Sequence, residues 1–171
     1  MPQVPFRKIV HTLLYVLMTG CRWWDVPRGS PWASQSATHR WLQRWQADGT
    51  LKKIKAFLLA DMIGDADLNI DRDSNSTPWL EDVVFEAATR LGYQSHFFAR
   101  KNQVSDDHLP FMKRGVPSAD LIDFSYGYNN VFWHTPQDTV DKLSPQSLAI
   151  VGGVILETVR ILDKMEPLPP K

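Results

Sequence analysis

The chain has 171 residues, 43% of them hydrophobic, and a formal net charge of zero. That length allows one ordinary domain or two small ones with a real core, and the balanced total charge points to no particular partner. Cys21 is the sole cysteine, which excludes an intrachain disulfide and a cysteine-based zinc site. Charge is unevenly distributed. Residues 1–54 carry eight Lys/Arg against Asp25 and Asp48, a net of about +6, so the remainder is acidic to the same extent. Tryptophan is just as skewed: Trp23, Trp24, Trp32, Trp41 and Trp45 crowd the basic segment, and only Trp79 and Trp133 lie beyond it.

In chain order, Phe6, Ile9, Val10, Leu13, Leu14, Val16 and Leu17 recur at helical spacing, with Gly20 as a stop. The apolar run from Ile9 to Met18 is too short for a membrane span, no other segment approaches about 20 apolar residues, and no cleavage site for a signal peptide follows. A cytoplasmic location is the expectation. Pro27, Gly29 and Pro31 mark a loop. A second helix is predicted from about Ser36 to Ala47, with Trp41, Leu42 and Trp45 as its apolar stripe, Arg40 and Arg44 beside them, and Gly49 as its end. Two readings of this basic face stand open: a DNA-binding module, or a small helical bundle with solvated arginines.

Beyond residue 54 the pattern changes. "KAFLLADMIGD" predicts a buried strand over Ala56 to Ala60 ending in Asp61, as in an open α/β sheet whose sites gather at the carboxyl ends of strands. "DSNSTPWLEDVVFEAATRLG" predicts a helix capped by Thr77, begun by Pro78 and stopped by Gly92, with Trp79, Val83, Val84, Ala87, Ala88 and Leu91 inward. His96 to Phe98 reads as a short strand, "SDDHLPFMKRG" as a loop and short helix, and "VPSADLIDF" as another strand. Thr135, Pro136 and Asp138 read as a helix cap, first-turn proline and acidic third position that hold His134 on a rigid corner. Ser144 and Pro145 open a last helix with Leu148, Val151, Ile155, Val159 and Leu162 inward, and a short tail follows from Pro167. Strands alternate with helices, so the class is α/β.

Four acid and histidine clusters carry the chemistry: Asp61, Asp106-Asp107-His108, Asp120/Asp123 and His134. Each has a structural alternative. Asp61 caps a loop, Asp106 caps a helix, and His134 is a packed corner residue. Neutral histidine with carboxylates suits zinc, but catalytic zinc needs about three protein ligands. No nucleophile elbow, phosphate loop or dinucleotide fingerprint competes.

Two resemblances organise these observations. "LLYVLMTGCRWWDVPRGSPWASQSATHRWLQRWQADGTLKKI" resembles the N-terminal helical domain of insertion-sequence transposases, a helix-turn-helix-like region that precedes an acidic catalytic domain. "LLADMIGD", "RDSNSTPWL", "DDHLPFMKRGVPSADLIDF" and "WHTPQDT" resemble the C-terminal half of zinc-dependent aminopeptidases of metallopeptidase family 28 and the related glutaminyl-peptide cyclotransferases. The segments implied are 1–54 (transposase-like, all-α), 55–166 (a partial open sheet with flanking helices) and a tail, 167–171.

The second resemblance implies roles by position. His134 matches the last zinc ligand. Asp61 matches a ligand of a second zinc, or a proton-sharing carboxylate in one-zinc cyclases. Asp106 matches the acid that shares that proton network, and Trp133 the wall of the pocket for a peptide substrate. The first half of the family supplies a His-x-Asp and a Glu-Glu pair that includes the general base. No His-x-Asp precedes Asp61 here, and no Glu-Glu occurs anywhere. The expectation is a metallohydrolase fragment that does not hold zinc stoichiometrically, is inactive alone, and exposes an apolar sheet edge. The alternatives are a transposase-derived DNA-binding protein and a subunit completed by a partner chain.

Overall fold

The structure, a computed structural model, describes residues 5, 7–9, 12, 25–49 and 54–169. The chain divides into two compact units, Met1–Ile54 and Lys55–Lys171. The expected first helix, with Val10, Leu13, Leu14, Val16, Leu17 and its stop Gly20, lies almost entirely outside the described residues, as do Cys21, Trp23 and Trp24.

In the first unit, helix α1 spans Gln35–Ala47 and begins one residue earlier than its pattern predicts. Ser34 explains the start, because its Oγ accepts the Ala37 N–H at 3.3 Å. Trp41 and Trp45 pack against Ile9, Ala33 and Ala37. Thr12 Oγ1, fully buried, accepts the Ala33 N–H at 2.8 Å and so ties the earlier segment to the loop before α1. His39, Arg40 and Arg44 are exposed, and the Arg44 guanidinium lies over the Trp41 ring at 5.3 Å.

The second unit is built on a four-stranded sheet of β1 (Phe57–Asp61), β2 (Ile70–Asp73), β3 (Phe97–Asn102) and β4 (Ser118–Ile122). The strand order is β1-β4-β2-β3. β1 runs parallel to β4, β2 runs parallel to β3, and the two pairs meet antiparallel at Asp71 and Ile122. The helices are α2 (Pro78–Arg90), α3 (Leu109–Met112) and α4 (Pro145–Lys164). This is the expected α/β class with an open sheet and flanking helices.

Period-2 alternation divides the sheet into two chemically different faces. Leu58, Ile70, Phe97 and Leu121 face α2 and α4 and join Val83, Val84, Ala87, Ala88, Ile150, Val151 and Val154 in the core. The neighbouring positions point the other way. There stand Asp61, Asp71, Asp73 and Asp120, four aspartates on the face opposite the core.

Several expectations change. β1 is a half-buried edge strand rather than a buried one, because it pairs with β4 and with no other described strand. β2 has no counterpart in the sequence reading, since its inward positions on the second face are the charged Asp71 and Asp73, each 1% exposed. β3 is six residues long and ends in the exposed, polar run Ala99 to Asn102. α2 starts after Thr77 as expected, but Thr77 makes no side-chain cap. Its Oγ1 instead accepts the Ser118 N–H at 3.0 Å, joining the helix start to β4. Leu91, expected inward, is exposed.

Of the stripe expected on α4, Val151 is buried and Ile155 and Leu162 pack against the core, but Leu148 and Val159 do not. Ser147, Ile150, Val151, Val154, Thr158 and Ile161 are buried, while Leu148 and Val159 are about half exposed. Thr158 tolerates that position because its hydroxyl donates to the Val154 carbonyl at 2.8 Å. α4 also meets the length and composition of a membrane span, contrary to the expectation that no segment would. The apolar residues that give it this composition include the stripe that packs with α2 in the core.

Candidate functional site

The acidic face of the sheet has one corner where carboxylates converge. Asp61 ends β1 and is exposed, and its Oδ1 accepts the Met62 N–H at 2.9 Å. Asp106 lies near enough for its charge to act on the Asp61 carboxyl. Partial loss of solvation of the carboxyl group, then the Asp106 charge, holds the Asp61 carboxyl above its ordinary value. Asp106 Oδ1 accepts the Asp107 N–H at 2.6 Å, so Asp106 caps the turn that leads into α3. The resemblance expects Asp61 and Asp106 to act together, and the Asp106 charge does bear on the Asp61 carboxyl.

Behind this pair lies a buried polar hub. His108, Asp73 and Asp120 are each fully buried or within 1% of it. His108 Nε2 stands 3.1 Å from Asp73 Oδ2, and Nδ1 stands 3.7 Å from Asp120 Oδ2. Asp73 Oδ1 accepts the N–H groups of Asn75 at 3.1 Å and Val104 at 2.9 Å. Its Oδ2 accepts the Ser76 hydroxyl at 2.9 Å, and Ser76 Oγ in turn accepts the Asp120 N–H at 3.0 Å. One side chain thus binds the end of β2, the loop that carries Asp106, and β4.

Asp120 is the strained member of this hub. Both its oxygens and both His108 nitrogens lack a hydrogen-bonding partner of good geometry among the described residues. Burial, reinforced by the charges of Asp106, Asp73, Asp61 and Asp107, pushes the Asp120 carboxyl up to about 8. It is then mostly a neutral acid at neutral pH, which relieves the repulsion in a four-carboxylate neighbourhood. Phe57 and Phe111, stacked at 4.0 Å, cover the flank of the same face.

Asp123, paired with Asp120 in the sequence reading, does something else. It accepts the N–H groups of Asn69 at 2.7 Å and Ser125 at 3.1 Å, and so fixes loops. Asp71 is neutralised by Arg100 Nε at 2.8 Å and Asn102 Nδ2 at 2.6 Å. Asp73, Ser76 and Asp71 were missed as a group. The one available signal was the Asp73-x-x-Ser76 spacing within "RDSNSTPWL", an aspartate placed to accept nearby backbone N–H groups.

His134 stands in a succession of turns, not on a capped helix corner. Its backbone is left-handed, with φ 54°, and its ring meets Trp133 edge-on at 4.5 Å. Thr135 Oγ1 donates to the Val131 and Phe132 carbonyls, each at 3.1 Å, and these bonds close a turn where a helix was expected. Asp138 does not serve a helix either; it accepts the Tyr126 hydroxyl at 2.7 Å. Trp133 is 45% exposed and packs against Phe124 at 5.5 Å.

The donor set was tested against a zinc ion. Among the described residues no three His, Cys, Asp or Glu side chains cluster to hold a metal. Asp61 and Asp106 offer carboxylates at one corner, and among the described residues no hydrogen bond or ion pair joins His134 to them. Two carboxylates alone do not fit a catalytic zinc, which needs about three ligands and an open position.

Comparison with known proteins gives this corner its context. The family model of peptidase family M28 matches residues 34–159. The chain belongs to peptidase family M28. A glutaminyl cyclase from an Acidobacteriales bacterium is 49% identical with a TM-score of 0.68; the match covers 81% of this chain and 49% of that one. The Porphyromonas gingivalis glutaminyl cyclase is 26% identical with a TM-score of 0.61, over 70% of this chain and 47% of that one. A glutaminyl-peptide cyclotransferase of Gloydius blomhoffii is 28% identical over 61% of this chain and 31% of its own length. An aminopeptidase of Bacillus subtilis is 25% identical over 70% of this chain and 27% of its own.

This M28 chain therefore spans about half the length of these solved cyclases and about a third of the curated relatives. A second family model, of IS4/5-family transposases, matches residues 1–55. The two matches overlap over residues 34–55, so α1 falls within both.

Proposed function

We propose that residues 55–166 are the C-terminal part of a glutaminyl cyclase-like or aminopeptidase-like metallohydrolase, catalytically incomplete in this chain. Residues 1–54 are its transposase-derived leader and 167–171 a tail. The observation that carries this reading is the Asp61–Asp106 pair at the carboxyl end of β1. It is the arrangement the family resemblance implies, in a chain whose described residues bring no third metal donor to it.

On this reading Asp106 and Asp61 share a proton, and His134 and Trp133 are the remnants of a zinc and peptide-binding wall. The water-activating base has no counterpart, and general-base catalysis alone supplies roughly 10²–10⁴-fold in rate. Zinc content and turnover of the purified chain test this. The expected result is no stoichiometric zinc and no turnover of an amino-terminal glutaminyl peptide or a leucyl peptide. Near one zinc per chain, with turnover abolished by a chelator, would overturn it.

A second reading rests on a different feature. α1 presents His39, Arg40 and Arg44 to solvent in a segment that matches IS4/5 transposases. Residues 1–54 would then bind DNA through phosphate contacts. Affinity for duplex DNA that falls steeply between low and moderate salt supports it; no binding at low salt removes it.

A further inference from the structure

The two edges of the sheet are built differently. β3 closes one edge with the exposed, charged and polar Arg100, Lys101 and Asn102, the usual protection of a free edge. β1 closes the other with Phe57, Leu58, Leu59 and Ala60, none charged and none fully buried. The direction of its free groups follows from the ladder. Phe57 N–H donates to the Pro117 carbonyl at 2.8 Å, on the β4 side. In a parallel ladder alternate residues bond to the same neighbour, so the N–H and C=O groups of Leu58 and Ala60 point away from β4.

We propose that this edge of β1 receives a strand from a separate chain that carries the amino-terminal half of an M28 domain. The proposal rests on the incomplete-domain reading above and names its partner. Three observations select this occupant. The 49%-identical cyclase contains about as much chain outside the match as within it. From Phe57 to Ala60 the edge is apolar, as an interior strand is, and its one charge, Asp61, stands at the end, unlike the β3 edge of the same sheet. The Asp61–Asp106 pair sits at the carboxyl end of β1, so a strand added in parallel ends beside it and delivers its own side chains to that corner. A second copy of β1 in an isologous antiparallel pair sends the two Asp61 residues to opposite ends and adds nothing to either corner.

The test uses the full chain, co-expressed with the part of the Acidobacteriales glutaminyl cyclase that the match does not cover. A 1:1 complex is expected by native mass spectrometry. Amide exchange at Leu58 and Ala60 slows at least tenfold in the complex relative to the chain alone. Ala60→Pro removes an outward N–H and leaves the β1–β4 ladder intact, so it abolishes the complex while amides of β4 keep their protection. Absence of a complex overturns the proposal. So does a complex that leaves Leu58 and Ala60 unprotected, or self-association that protects them without the partner. Zinc-dependent turnover by the chain alone would instead overturn the incomplete-domain reading, whatever the edge does.

Discussion

His108 Nε2 lies 3.1 Å from Asp73 Oδ2, and neither side chain reaches solvent. The pair ties the loop carrying Asp106 to the end of β2, so its first effect is on stability. His108→Ala leaves a cavity beside Asp73 and is expected to cost on the order of 3 kcal/mol, the scale for emptying a fully buried side-chain site. The urea midpoint of the second unit, followed by Trp79 fluorescence, reads this. A loss below about 1 kcal/mol would place the hub's stability in the backbone bonds of Asp73 alone.

Stability should fall as pH rises from acid to mildly basic. Burial lifts Asp120 to about 8 and Glu81 to about 7. In the unfolded chain these groups titrate near ~3.9 and ~4.3. The folded state holds both protons more tightly, so their contribution is complete below about pH 4 and is lost as pH passes through about 7 and then about 8. The urea midpoint at pH ~9 is expected below that at pH ~5, and Asp120→Asn should flatten the upper part of the fall. An identical pH profile for the variant would remove Asp120 from the account.

Added zinc should leave thermal stability unchanged, because ligands that bind only the folded state raise it by mass action and no three-donor site is present among the described residues. His134→Ala should not change that result. A rise in Tm with zinc that His134→Ala or Asp61→Ala abolishes would mean that the loop around His134 closes onto Asp61 in solution.

Gly127 is required by geometry. Its φ is +72°, and a Cβ there would meet two Phe132 ring carbons at 2.6 Å. Gly127→Ala should cost about 1–2 kcal/mol and displace the turn that carries Trp133 and His134. Loss of the Trp133 contact with Phe124 is visible as a shift of tryptophan emission, measured against a Trp133→Phe control.

What the residues disclose depends on what decides each feature. α2 and β4 are legible because Pro78, Gly92 and an apolar pattern decide them locally. β2 is not, because its second face is aspartate: Asp71 depends on Arg100 and Asn102, far along the chain, and Asp73 on Val104 as well as on its neighbours Asn75 and Ser76. The inward stripe of α4 is only partly legible: Val151, Ile155 and Leu162 meet the core as their pattern predicts, but Ser147 and Thr158 also lie inward, and Thr158 is satisfied by its own helix. The edge position of β1 cannot be read locally at all, since an apolar strand looks the same with one neighbour or two. Within the candidate site, His108 and Asp120 stand out in the sequence as members of acid and histidine clusters, whereas Asp73, which faces His108 in the hub, does not.

Thr77 and Ser118 are bonded twice, Thr77 N–H to the Ser118 carbonyl at 2.7 Å and Ser118 N–H to the Thr77 hydroxyl at 3.0 Å. With Ser76 holding the Asp120 N–H, the entrance of α2 and the first half of β4 open or close together. Local fluctuations that free one free the other, so the amides of Ser118 and Asp120 should exchange with hydrogen at a common, slow rate set by unfolding of the whole unit. The acidic corner would then rest on a part of the molecule that behaves as one cooperative block.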